Sequence, residues 1–251
     1  MPYPVDRYRR RVEQMRAHFE GLLIADVDDA LANRVVFVSA VLSLLRPGLP
    51  RARHEAFARD VAFYQAWAAF DESETGRLLD LALRLMAEHG MPRPTTFRAG
   101  GLFANAANLR AVAAAGFTVD TSATPAGGFG RLLLPWTLKR DAQPYRPSAT
   151  DANAAGDLPL LEVPNIAGNT YALDTRTIAP VIAADLAMLE PIGQVALTRK
   201  ALTLVSHPGT IDATERAAIE ALFQSFEPYR YDRDNGPLRF VTLAQLERAF
   251  K

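Results

Sequence analysis

The stretch from Pro94 to Ser122, PTTFRAGGLFANAANLRAVAAAGFTVDTS, decides the fold. Pro94-Thr95-Thr96-Phe97 reads as a short strand that runs into the cluster Arg98-Ala99-Gly100-Gly101. Asn105 can cap a helical segment with Leu109, Val112 and Ala113 on one face, and Gly116 suits a left-handed stop. Phe117-Thr118-Val119 then reads as a second strand, ending at Asp120-Thr121-Ser122. The result is a strand, a helix and a strand, each strand closing on polar residues.

The pattern recurs outward from this unit. Upstream, Asp71 with Glu74 forms a capping box, and Leu78, Leu81, Leu85 and Met86 make an apolar stripe that stops at Gly90, predicting a helix from about Glu72 to His89. Downstream, Leu132-Leu133-Leu134 and Leu160-Leu161-Glu162-Val163 read as apolar runs, with a helix near Thr177 to Leu189. Leu202-Thr203-Leu204-Val205 reads as a strand that ends at Ser206-His207-Pro208-Gly209. Asp212 with Glu215 predicts a capping box that opens a helix with Ile219, Leu222, Phe223 and Phe226 inward, until Pro228 ends it. Leu238-Arg239-Phe240-Val241 is a last strand, and Thr242 caps a closing helix through Leu243, Leu246 and Phe250. This alternation predicts one mainly parallel α/β domain over residues 1–251. Parallel α/β sheets and barrels build their sites just past the carboxyl ends of strands, so Arg98, Asp120 and His207 are expected to face one cleft. Pro135 to Asp157 is too long for an ordinary connection and reads as a functional lid or a mobile loop.

Composition sets the limits. The chain has 251 residues, 49% of them hydrophobic, enough to bury a core. Its 28 basic and 28 acidic residues balance, and no like-charge run extends past Arg9-Arg10-Arg11, so nothing recommends a nucleic-acid or acidic-membrane partner. With no cysteine there is no disulfide, thiolate metal site or cysteine nucleophile. Met1-Pro2-Tyr3-Pro4 leads into a charged stretch and no apolar run reaches membrane-spanning length, which makes the cytoplasm the expected location.

Phe97-Arg98-Ala99-Gly100-Gly101, Asn108-Leu109-Arg110, Gly116 to Ser122, Leu204-Val205-Ser206-His207-Pro208 and Phe240-Val241-Thr242-Leu243 together resemble the polysaccharide deacetylase (NodB-homology, carbohydrate esterase) family. The resemblance covers residues 91–251, whereas residues 1–90 diverge. It implies a distorted (β/α)7 barrel, complete or incomplete, and metal-assisted removal of acetyl groups from N-acetylated sugars, with zinc or another divalent cation as cofactor. It also implies that His207 is the general acid that protonates the leaving amine, a proton transfer suited to a group titrating near neutrality. Arg98 is implied to hold a catalytic carboxylate through a paired contact that its planar fork favours. Asp120 is implied to position substrate or loop. Gly100 and Gly101 free the backbone for a tight loop near substrate, and Trp136 in the long loop is the aromatic expected to stack on a sugar ring.

The first third departs from that pattern. The family opens with a Thr-Phe-Asp-Asp-Gly type motif and carries a His-x-x-x-His. The four histidines here, His18, His54, His89 and His207, include no such pair. The nearest counterparts are Asp28-Asp29, after the apolar Leu22-Leu23-Ile24, and His54-Glu55. Val35-Val36-Phe37-Val38 follows Asp29 too closely for a parallel crossover, so Arg7 to Phe19 reads as the crossover helix before that strand. The ligands of a metal are therefore not assigned, with His54, Asp28 and Asp29 as the available candidates. A catalytically inactive relative that binds carbohydrate or a protein partner is the alternative reading. A phosphatase of the haloacid dehalogenase type, resting on Leu23 to Asp28, lacks downstream partners.

Overall fold

The computed structural model describes residue 68 and residues 70–127, 134–171, 173–194, 196–206, 211–231 and 236–250. The chain divides into two compact units, Met1–Ala69 and Phe70–Lys251, and the described elements all belong to the second. Elements are numbered in chain order along these residues.

Helix α1 spans Glu72–Glu88. Asp71 accepts from the Glu74 amide at 2.8 Å and Glu74 accepts from the Asp71 amide at 3.2 Å, so two of the helix's orphan donors are satisfied reciprocally. The expected capping box is present. Strand β1 is Thr96–Phe97, and α2, Ala106–Ala114, opens on a second box between Asn105 and Asn108. Asn108 does more than cap. Its Nδ2 donates to the Phe70 carbonyl at 3.1 Å and to Thr75 Oγ1 at 2.9 Å, which fastens α2 to the start of α1 without a buried orphan. Past α2, Gly116 takes φ 87° and Arg93 donates to the Ala115 carbonyl at 2.6 Å, ending the helix where the sequence predicts.

Strands β2, Val119–Asp120, and β3, Leu161–Glu162, complete a parallel sheet in the order β1-β2-β3. Phe97 is opposite Asp120, and Asp120 is opposite Glu162. Because strand side chains alternate, that register puts Asp120 and Glu162 on one face and Val119 and Leu161 on the other. The apolar face is filled by helix α5, Leu243–Ala249. Val119, Leu161, Val163 and Ala201 form a buried cluster against Leu243, Leu246 and Phe250. A second cluster joins Ile178 to Ala218, Leu222 and Phe226, where α3, Ala179–Leu186, meets α4, Ala213–Phe226.

The α/β class is as expected, but among the described residues the sheet is small and open rather than a barrel. Pro164 has no amide to extend the β3 ladder. Beyond it the chain pairs again only loosely, with Val205 bridging Asn169 in parallel and the Thr203 carbonyl accepting from Ala167 at 3.2 Å. The expected strand Leu238–Val241 is likewise reduced to one bridge, Arg230 to Leu238. In α4 the box is half formed: Asp212 accepts from the Glu215 amide at 2.8 Å, while the Glu215 carboxylate turns away to accept from Thr170 Oγ1 at 2.9 Å. Residues 135–157 form a packed cover. Tyr145 pairs antiparallel with Glu162, Pro147 bridges Ala155, and the Tyr145 hydroxyl donates to the Ala152 carbonyl at 2.6 Å. No helix among the described residues is long and apolar enough to cross a membrane.

Candidate active site at the strand ends

Asp120 and Glu162 are both fully buried, side by side on one face of the sheet. Ser122 donates its amide to Asp120 Oδ2 at 3.1 Å and its hydroxyl to Oδ1 at 3.0 Å, and the Ala123 amide donates to Glu162 Oε1 at 2.8 Å. Glu162 Oε2 receives no donor. Two carboxylates in contact without water cannot both ionise, so the pair holds a proton between them. Burial first, and then the Asp120 charge, push Glu162 well above the usual carboxylate range. Burial also raises Asp120, against the lowering pull of its bonds from Glu162 and Ser122.

Arg98 lies just past β1, half-buried. Its Nε donates to the Thr121 carbonyl at 3.2 Å, and Nη2 donates to Thr121 Oγ1 at 3.3 Å and to Asn165 Oδ1 at 2.9 Å. Asn165 in turn donates to the Thr121 and Ala123 carbonyls at 2.7 and 2.9 Å. The residues following β1, β2 and β3 are thus stitched into one rim. Burial lowers the Arg98 pKa, and the charges of Asp120 and Glu162 raise it. Those carboxyls act on the guanidinium through space. Among the described residues its hydrogen bonds all go to uncharged oxygens, and Nη1 makes none.

Arg98 and Asp120 lie at the ends of the neighbouring strands β1 and β2, but Asp120 is fully buried, and the hydrogen bonds of Arg98 go to Thr121 and Asn165. Gly100 and Gly101 follow Arg98 in a short 3-10 turn; Gly101 takes φ 61° and Leu102 takes φ 67°, two consecutive left-handed residues at the rim. A leucine there costs roughly 1–2 kcal/mol, and strain of this kind gathers at functional sites. Trp136 corrects the expectation of a sugar-stacking ring. It is 2% exposed and its indole donates to the Leu102 carbonyl at 2.7 Å, so it braces the strained turn and presents no open face. His207, His54, Asp28 and Asp29 lie outside the described residues. The chain up to Ser206 runs parallel to the segment after β3, with the Val205 amide donating to the Gly168 carbonyl at 3.0 Å and the Thr170 amide donating to the Val205 carbonyl at 3.0 Å. Glu162 and Asn165 escaped the sequence reading. The available signal was an acid inside the apolar run Leu160-Leu161-Glu162-Val163, where a strand covered on both faces leaves no solvent for it.

The fit of these residues to a divalent cation is poor. Among the described residues no group of three or more His, Cys, Asp or Glu could hold a metal ion. The carboxyl oxygens of Asp120 and Glu162 are turned toward Ser122, Ala123 and each other. No step is assigned to a metal through them.

No family model matches the chain, and no curated protein sequence matches it. Among solved structures, the fold is similar to a crystal structure of a candidate polysaccharide deacetylase from Mycobacterium smegmatis, with 16% sequence identity and a TM-score of 0.51 over 86% of this chain and 76% of that one. At that identity the likeness is one of fold: this chain carries an α/β architecture similar to that of the mycobacterial protein.

Proposed function

We propose that this protein is a hydrolase of the polysaccharide deacetylase type, which removes acetyl groups from N-acetylated sugars or glycans. The observation that carries the reading is the joining of Arg98, Thr121 and Asn165 into one rim above the buried Asp120–Glu162 pair, at the carboxyl ends of three parallel strands. The fold likeness to the mycobacterial protein points the same way.

In this reading the Nη1 edge of Arg98 holds an anionic group, either a carboxylate or the oxygen that gains charge as the amide carbonyl is attacked. Its other edge is fixed, so little order is lost when that group arrives. Asp120 and Glu162 are positioning residues. Sealed from solvent, they keep negative charge behind the guanidinium and hold the Ser122–Ala123 backbone in place. His207 gives a proton to the amine as it leaves. His54, Asp28 and Asp29 are the candidates for holding a metal.

The test is acetate release from chito-oligosaccharides by the whole chain, with zinc and with other divalent cations supplied. Release that falls at least about a hundredfold in His207→Ala is expected from the loss of a general acid. Saturable glycan binding with no acetate released favours the inactive relative instead. Neither binding nor release by folded protein overturns both.

A further inference from the structure

A cavity of about 500 Å³ lies among α3, α4, α5 and the segments 196–204 and 237–241, and Arg98, Asp120 and Glu162 are not among the residues that line it. That volume suits a small-molecule site. Much of its wall is aliphatic or aromatic, with Leu204, Leu222, Phe226, Leu246 and Phe250. Phe223, Tyr231, Phe240 and Val241 line it too and are each close to half exposed, so the cavity meets solvent along an apolar edge. Large apolar side chains grouped in this way at a surface are a mark of binding sites.

The charged residues of the lining are Asp185, Glu190, Arg199, Lys200 and Arg239, and they are not equally free. Glu190 and Lys200 neutralise each other at 3.0 Å. Asp185 is 2% exposed, and its unpartnered Oδ2 is sealed from solvent. Two guanidinium groups remain. Arg199 donates through Nη1 to the carbonyl of Ala249, and the Arg239 guanidinium lies 4.2 Å from the centre of the Tyr231 ring. Ala249 and Tyr231 are themselves lining residues, which places both positive groups at the wall of the cavity. Arg199 and Arg239 are exposed, and among the described residues neither has a carboxylate partner. With five N–H donors on each guanidinium, most of this donor capacity is uncommitted.

We propose that this cavity binds a single-chain anionic amphiphile, an aliphatic carboxylate of medium length. Its head is taken by the Arg199 and Arg239 guanidinium groups, and its chain lies against Leu222, Phe226 and Leu246. The chemistry selects the class. The apolar wall takes the chain, while a planar guanidinium fork matches a carboxylate and makes charge-assisted bonds with it. An alcohol forgoes that charge, and an ammonium group is repelled by both arginines. This site stands independently of the deacetylase reading.

Isothermal titration of the whole chain with decanoate, decanol, decylamine and butanoate tests it. Decanoate is expected to bind one to one, at least about tenfold more tightly than decanol, the gain of charge-assisted bonds over a neutral one. It should also bind at least about tenfold more tightly than butanoate, because the longer chain buries more apolar surface. Arg199→Gln combined with Arg239→Gln should reduce the preference for decanoate over decanol to within about twofold, with decanol binding and the thermal melt unchanged. Equal binding of decanoate and decanol to the natural protein, a preference for decylamine, or no saturable binding overturns the proposal. So does a preference that survives the double substitution, or co-sedimentation with phosphatidylglycerol vesicles in place of decanoate binding. If the double variant does not fold, salt decides: decanoate affinity should fall at least about threefold between about 0.05 M and about 0.5 M sodium chloride while decanol affinity holds, and no such difference overturns the proposal.

Discussion

Replacing Glu162 by glutamine puts the shared proton to a direct thermodynamic test. In the natural protein Glu162 Oε1 accepts from the Ala123 amide, and burial together with the Asp120 charge favours the protonated form of the Glu162 carboxyl. A glutamine keeps an acceptor for Ala123 and a permanent donor for Asp120, with nearly the same volume. What it removes is the titration. The folded-state pKa of Glu162 is raised, so its contribution is fully present below the ordinary carboxylate value of about 4.3 and is lost as the pH rises through the raised folded value. Between those limits the folded state binds more protons than the unfolded one, so stability falls as the pH rises. Asp185 is also raised, to about 7, and slopes the same way, but it is present in both proteins and cancels in their difference. Urea unfolding at pH 5 to 9 should therefore show Glu162→Gln gaining on the natural protein as pH rises. Curves that stay parallel across that range refute the shared-proton assignment.

Other outcomes follow from particular contacts. Asn108→Leu removes its bonds to the Phe70 carbonyl, Thr75 Oγ1 and the Asn105 amide, and urea unfolding should register a loss of about 2–3 kcal/mol. Gly236→Ala drives a methyl group into the backbone of Tyr229, where no side-chain rotation relieves it, so a drop in melting temperature larger than that of Gly76→Ala is expected, since nothing lies within 4 Å of a methyl group at Gly76. Tyr145→Phe removes the bond to the Ala152 carbonyl and should cost about 1 kcal/mol in the same assay while sparing the sheet. Asp185→Asn should flatten the part of the stability profile that falls as pH approaches about 7, read from melts at pH 5 and pH 8.

Local chemistry was the legible part of this sequence. Asp71, Asn105 and Thr242 each open a helix through a capping box, and Gly90 and Gly116 close the first two of these, because such devices are written within a few residues. The placement of Arg98 and Asp120 at neighbouring strand ends was also readable, since a strand followed by a crossover helix brings those ends together. Long-range pairing was not. Nothing local states that Glu162 sits opposite Asp120, or that Glu215 abandons its helix cap for Thr170 across 45 residues. Trp136 misled for the same reason. A tryptophan in a long polar segment reads as exposed, and only the fold supplies the Leu102 carbonyl that draws its indole inward.

The deciding measurement is the initial rate of acetate release from an N-acetylglucosamine oligomer by the natural protein and by Arg98→Met, with urea unfolding of both run alongside. If the guanidinium holds charge that develops during hydrolysis, the variant should stay folded and release acetate about tenfold to a hundredfold more slowly, with the loss in kcat. Equal rates from two folded proteins would contradict a hydrolytic role for the Arg98 rim.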